Sequence, residues 1–228
     1  MTSDQLAQII IWVGLFLAVS GPVHESAHAY AAWRLGDGTA KLFGRLTLNP
    51  IVHFDPVGGL MLVFSAFISG GTFGFGWAKP TPVNPYNLRG QHADSIVALA
   101  GPASNLALAA IFAIGFRALI GNNDLFIGNG LSAWARTPIG LVTLVCFEGV
   151  QLNVVLAIFN LIPIPPLDGS HVLYDVMSPR TVHEIRPYLD QYGFFFLILL
   201  IIPLGNQSVL STIFDSVGVP IIRLLLGL

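Results

Sequence analysis

Long apolar runs, broken by short stretches rich in polar residues, Gly and Pro, set the pattern of this chain. A first run extends from about Leu6 to Trp33, and a polar stretch from Arg34 to Pro56 follows it, punctuated by Gly, Asp, Asn and Pro. A short Gly-rich apolar run covers Val57 to Phe75. The turn-forming stretch Gly76 to Ala93 holds Lys79-Pro80-Thr81-Pro82-Val83-Asn84-Pro85, whose prolines favour an extended loop. Helical runs over Ser95 to Ile120 and Pro138 to Leu161 come next, ended by Pro163-Ile164-Pro165-Pro166. An amphipathic region, His171 to Tyr192, precedes two closing apolar runs, Phe194 to Leu204 and Val209 to Leu226. A spanning helix takes about 20 mostly apolar residues, so the pattern predicts an all-α polytopic membrane protein with about five transmembrane helices. The Arg34 to Pro56 loop has room for short strands.

Two imidazoles and a carboxylate interrupt the first run. His24-Glu25-Ser26-Ala27-His28 is an H-E-x-x-H pattern, and residues four apart on a helix stand one turn above another, roughly 6 Å apart along the axis. Two imidazoles so placed can share one metal. Zinc suits them, because it accepts neutral imidazole nitrogen and takes three protein ligands plus water in catalytic sites. Glu25 reaches the water rather than the metal and is the candidate general base. A chance pattern on a solvated helix face is the bland alternative. It fits poorly here, since ionisable groups in a membrane-like run are costly and face a functional interior.

A third ligand has two candidates at the edges of the apolar runs. Asp168 lies in Pro165-Pro166-Leu167-Asp168-Gly169, a turn that fixes the backbone after a helix end, with Gly169 permitting a sharp return. Alone it would read as an ordinary helix-start Asp. His53, in the polar loop, is the competing ligand, although a turn role suits its setting.

Composition narrows the function classes. Of 228 residues, 54% are hydrophobic and 10% charged, with a mean hydropathy of +0.74. An appended soluble domain is not expected. Residues 1–228 read as a single membrane-embedded domain, with a core over 6–172 and C-terminal helices over 193–228. A net charge of −2, with ten Lys and Arg scattered along the chain, argues against nucleic acid as a partner. Cys146 stands alone in an apolar run, so no disulfide framework or Cys-based zinc site is expected. The first run has Asp4 and no basic residue before it, and it carries the candidate site, so it reads as a retained span rather than a cleaved signal.

With its surroundings, the H-E-x-x-H pattern resembles the site-2 protease family of intramembrane zinc metalloproteases, in its small branch without a PDZ or CBS domain. The likeness rests on His24 to His28, on Ala100-Gly101-Pro102-Ala103-Ser104-Asn105, and on Asn160-Leu161-Ile162-Pro163 leading to Pro166-Leu167-Asp168-Gly169. Gly44-Arg45-Leu46-Thr47-Leu48-Asn49-Pro50 and Trp77-Ala78-Lys79-Pro80 extend it over about Val19 to Val172. The resemblance implies His24, His28 and Asp168 as ligands of one Zn2+, Glu25 as base, and Asn160 as an amide near the scissile carbonyl. It also implies membrane-protein substrates with a transmembrane helix. An amide at Asn160 could donate to a developing oxyanion, with a helix cap or interhelical bond as the alternative. Asn105 and Asn153 read as interhelical contacts, and Gly101 with its neighbours as a small-residue packing point.

Topology follows if Asp168 is the third ligand. The histidines lie near the end of the first helix and Asp168 just after the end of the Pro138 to Leu161 helix, so the two helices must be parallel. Two apolar runs intervene, and one of them must turn back; the Gly-rich run Val57 to Phe75 is the natural choice. Arg34, Lys41, Arg45, Lys79, Arg89, Arg180 and Arg186 then share one side, with Arg117 and Arg136 opposite. Arg223 joins the crowded side if the last two runs both span. The positive-inside rule makes the crowded side cytoplasmic, in a cell (inner) membrane, with the N-terminus outside. The expected activity is hydrolysis of peptide bonds in or near transmembrane segments. A membrane metal transporter and a catalytically silent relative are the rivals, the first requiring further ligands along a polar path.

Overall fold

The computed structural model describes residues 3–69, 74–120, 137–202 and 207–228. These are helical, with no strand among them. The first helix is one long rod: α1 (Ser3–Leu15) runs through a π-helical turn (Phe16–Ser20) into α2 (Gly21–Arg34). Thirty residues of it, Gln5–Arg34, are apolar enough to cross a membrane. At 1.5 Å per residue such a rod is about 45 Å long, more than the roughly 30 Å of hydrocarbon it must cross. The helices α6 (Ala93–Ile120) and α7 (Pro138–Asn160) also qualify, as does the closing segment Val209–Leu226. The protein is thus an integral membrane protein of helical type.

In the polar loop, short helices take the place of the expected strands. They are α3 (Thr39–Leu42) and α4 (Pro50–His53), the latter capped by the Asn49 side chain on the Ile51 amide. A fully buried carboxylate, Asp37, organises this region. It accepts hydrogen bonds from the Thr39 amide and hydroxyl, from the Asn84 amide at 2.8 Å and from the Asn87 side chain at 3.0 Å. The Arg89 amide donates to the Leu35 carbonyl at 2.8 Å. The chain therefore leaves α2 and enters α6 at one level, whatever it does between.

Between those points it makes a hairpin. Helix α5 (Pro56–Ile68), capped by Asp55, is 13 residues long, about 20 Å and too short to cross. An extended segment then runs back along it. Ser65 bonds both the amide and the carbonyl of Phe75, and the Lys79 amide reaches the His53 carbonyl at 2.8 Å. The Val57 to Phe75 run is thus re-entrant in geometry, since it ends beside where it began.

Helix α6 lies antiparallel to both of its neighbours. It meets α2 through His28 with Val97 and His24 with Asn105, and α7 through Asn105 with Asn153. Two helices antiparallel to a third are parallel to each other, and Trp12 indeed meets Glu148 while Phe16 packs with Leu152. After α7, helices α8 (Gly169–Val176) and α9 (Pro179–Ile201) follow, then α10 (Val209–Ile213), a π-helical turn (Phe214–Gly218) and α11 (Val219–Leu226).

Among the described residues four helices have the length and apolarity of spans, close to the about five expected. The short run from Phe194 is continuous with the charged stretch holding Arg180, Glu184, Arg186 and Asp190, all within α9. Its Leu197 packs with Ile162, Leu167 and Leu210, so α9 ends where the closing segment begins. That segment then runs the length of the bundle to Leu226, beside Phe116 and Val150, where Arg117 donates to the Leu224 carbonyl. Arg223 therefore sits at the Arg117 end rather than on the crowded side. Arg136 and the tail of the Phe194 to Leu204 run lie outside the described residues.

Asp37 gives the loop its own pH dependence. Burial pushes its carboxyl up, but bonds from Thr39, Asn87 and Asn84 outweigh this and hold it below its ordinary value. A lowered folded value means stabilisation that is full above the unfolded value of about 4 and is lost as pH falls through the folded one. Asp37→Ala is expected to cost about 1–3 kcal/mol through the donors left unpaired. Thermal unfolding in detergent should show the loss at neutral pH and little of it in strong acid.

Candidate active site

Helix α2 places His24 and His28 on one face, and their Nε2 atoms lie 3.1 Å apart. Asp168 Oδ2 is 3.2 Å from the first and 3.4 Å from the second. Asp168 occupies the N-cap position of α8 yet makes no capping bond, because its carboxylate is turned toward the imidazoles instead. Gly169 allows this turn: a Cβ there would meet the Leu161 carbonyl oxygen at 2.3 Å.

The outer nitrogens settle the tautomers. His24 Nδ1 lies 2.6 Å from Asn105 Oδ1, and the Asn105 amide donates to Asn153 Oδ1 at 2.9 Å, so the Asn105 oxygen is the acceptor. His28 Nδ1 donates to the Val97 carbonyl at 2.7 Å. Both protons are on Nδ1, and both Nε2 atoms present lone pairs inward. Asp168 Oδ2 is buried there with no hydrogen-bond donor. Three lone-pair donors within 4.8 Å of one another repel unless a cation lies among them. Two His and one Asp make a donor set that zinc accepts.

Glu25 stands beside them, held from the hairpin's return segment. Its Oε2 accepts the Thr81 amide at 2.7 Å, while the Thr81 hydroxyl donates to the Glu25 carbonyl at 2.9 Å. Thr81 was not singled out in the sequence; the Pro-rich stretch that holds it was the only signal. Asn160, the last residue of α7, lines the same cavity of about 670 Å³, its amide bonding the Leu156 carbonyl at 2.9 Å. His171 lines it too, 2.8 Å from Asp94, whose hydrogen bond raises the imidazole pKa against the opposing effect of burial.

His53 is not brought to this cluster. Buried in the loop, its Nε2 donates to the Thr47 carbonyl at 2.7 Å, and Ser26 donates to the same carbonyl from within the H-E-x-x-H pattern. His53 thus ties the loop to α2, and of the two candidates it is Asp168 that the structure brings beside His24 and His28. Asn105 and Asn153 do form the interhelical contact expected of them, and Gly101 is the close packing point. A Cβ on Gly101 would lie 2.3 Å from His28 Nε2 and 2.5 Å from His24 Cε1.

Gly101→Ala is therefore expected to abolish zinc binding while the bundle still forms, read by metal content per purified chain against its helical circular dichroism. Asn105→Leu removes the acceptor that fixes His24 and should weaken zinc about 10–100-fold in a chelator competition.

Comparison with known proteins agrees with this geometry. Residues 133–200 match the family described as Peptidase family M50. The chain is 42% identical over 192 residues, 83% of its length and 80% of the relative's, to "Putative zinc metalloprotease YwhC" of Bacillus subtilis (strain 168). It is 32% identical over 197 residues to "Putative zinc metalloprotease Rip2" of Mycolicibacterium smegmatis, covering 84% of this chain and 69% of that one. The Mycobacterium tuberculosis (strain H37Rv) protein of the same name is 30% identical over 226 residues, 95% and 80% of the two chains. No solved structure matches the chain. The chain belongs to peptidase family M50, the site-2 protease family of intramembrane zinc metalloproteases.

Proposed function

We propose that this protein hydrolyses peptide bonds in or near transmembrane segments of membrane-protein substrates, with His24, His28 and Asp168 holding one Zn2+ and Glu25 as general base. The observation that carries the reading is the convergence of three inward lone pairs beside a tethered carboxylate, in a cavity walled by membrane helices. When bound, zinc supplies a Lewis acid for the scissile carbonyl and makes a water acidic enough to deprotonate near neutral pH.

The chain's own residues do the rest. Glu25 takes the water's proton and delivers it to the departing amine. The Thr81 amide on Oε2 leaves Oε1 for that proton. Asn160 has one amide hydrogen on Leu156 and a second to offer a developing oxyanion. A substrate helix must unwind first, because its carbonyls are occupied by helical hydrogen bonds.

Rival readings find less support. A transporter needs ligands in series, whereas His24, His28 and Asp168 are the one such group among the described residues. A silent relative has no use for a base anchored beside a metal site. For orientation, Arg34, Lys41, Arg45, Lys79, Arg89, Arg180 and Arg186 gather at the zinc end, with Arg117 and Arg223 at the other. The positive-inside rule favours a cytoplasmic zinc end in a cell (inner) membrane and an outside N-terminus.

Purified enzyme in liposomes with a single-span reporter is expected to cleave in a zinc-dependent way. Glu25→Gln should lower kcat about 10²–10⁴-fold with zinc still bound. Undiminished cleavage by that variant would remove Glu25 from the mechanism, and zinc flux surviving it would favour transport. Cysteines at Lys41 and Lys79 should both label from the cytoplasmic face; labelling of either from outside would overturn the orientation.

A further inference from the structure

An apolar pocket of about 200 Å³ lies against the catalytic cavity. Phe16, Phe75, Leu156 and Phe159 are walls common to both, so the two adjoin. From there the pocket extends between α1, α5 and α7, and none of its lining side chains carries a charge. The indole nitrogen of Trp12, which lines the pocket, is already committed to Glu148 Oε2 at 2.5 Å.

Water has few polar partners in such a space. An apolar cavity of about 150 Å³ stays dry and accepts benzene, so this one has room for a single large apolar side chain. The shared walls are near the chemistry. Phe16 precedes His24 by eight residues, about 12 Å along the rod, and Phe159 adjoins Asn160. An extended peptide advances about 3.3 Å per residue with side chains alternating in direction, so a chain lying across the site can direct one side chain past those walls.

We propose that this is a specificity pocket, which receives a large apolar side chain, Leu or Phe in size, from the unwound substrate within about four residues of the cleaved bond. The inference rests on the protease reading above and deepens it: the substrates are membrane segments bearing such a residue at one fixed distance from the scissile bond. A lipid acyl chain is the competing occupant. The walls shared with the catalytic cavity favour the peptide.

The test uses the full chain in liposomes with single-span reporters. Each position within four residues of the mapped cleavage bond is made in turn Ala, Leu or Phe. One position is expected to show a preference of about tenfold or more in kcat/KM for Leu or Phe over Ala. Val155→Phe, which fills the pocket, should invert that preference at the same position, and Leu152→Ala, which enlarges it, should move the optimum to Trp. Equal preferences in the wild type and both variants would overturn the pocket while leaving Glu25-dependent proteolysis intact. So would an ordered acyl chain in the pocket with unchanged selectivity. Loss of all Glu25-dependent cleavage in the wild type would instead overturn the protease reading, and this inference with it.

Discussion

Three lone pairs aimed at one point are the constraint on which this structure depends. His24 and His28 can be brought together by a single helix, but Asp168 lies after another, and its oxygen must arrive at the same depth. That is possible only if α2 and α7 run the same way. The antiparallel α6 between them is what allows it, and the region between α2 and α6 must then make no net crossing. The hairpin of α5 and its return segment meets this condition, closed by the bond between Lys79 and His53. A local requirement of coordination geometry thereby fixes the direction of every helix in the core.

Membrane depth makes each polar group in this arrangement expensive unless it is satisfied. Around the imidazoles the chain meets this cost with a run of hydrogen bonds. Asn105 accepts from His24 and donates to Asn153, which in turn donates to the Gly149 carbonyl, so one relay ties α2, α6 and α7 together. The same bonds leave the His24 Nε2 lone pair facing Asp168. Packing serves that end as well: Gly101 lets α6 approach the imidazoles closely enough for the relay to form, because it carries no side chain.

Much of this was legible in the sequence, and the reasons differ by residue. His24, Glu25 and His28 are read from helix periodicity and from their cost in an apolar run, both local properties. The re-entrant hairpin was also legible, through the parity argument that Asp168 imposes. The loop was harder. Its short helices rather than strands depend on Asp37 and on the cap at Asn49, and Asp37 finds its partners about fifty residues away, where no periodicity points. Thr81 was missed for the same reason. His53 was ambiguous in sequence because an imidazole near apolar runs looks alike as a ligand or as a loop fastener; only its bond to Thr47 decides. The side on which Arg223 lies turned on whether α9 spans, and the charges in its first half decide that it merges with the surface instead.

The catalytic cavity has two chemical ends, and hydrolysis inside a membrane needs both. Water must reach a carbonyl that lipid would otherwise keep dry, while the peptide must come from the lipid. His24 lies ten residues before Arg34, about 15 Å from the end of its helix, so the site is buried but close to one surface. On that side the cavity is lined by Thr81, Asp94 and His171, groups that water can solvate. Toward the bilayer centre the lining changes to Phe16, Phe75 and Leu156. His24, His28, Asp168 and Glu25 sit where the two linings meet. A site nearer the surface would lose its access for apolar peptide, and one nearer the centre would lose its water. The hairpin reconciles the two demands, since its return segment carries Phe75 on the apolar side and Thr81, which holds the Glu25 carboxylate, on the wet side.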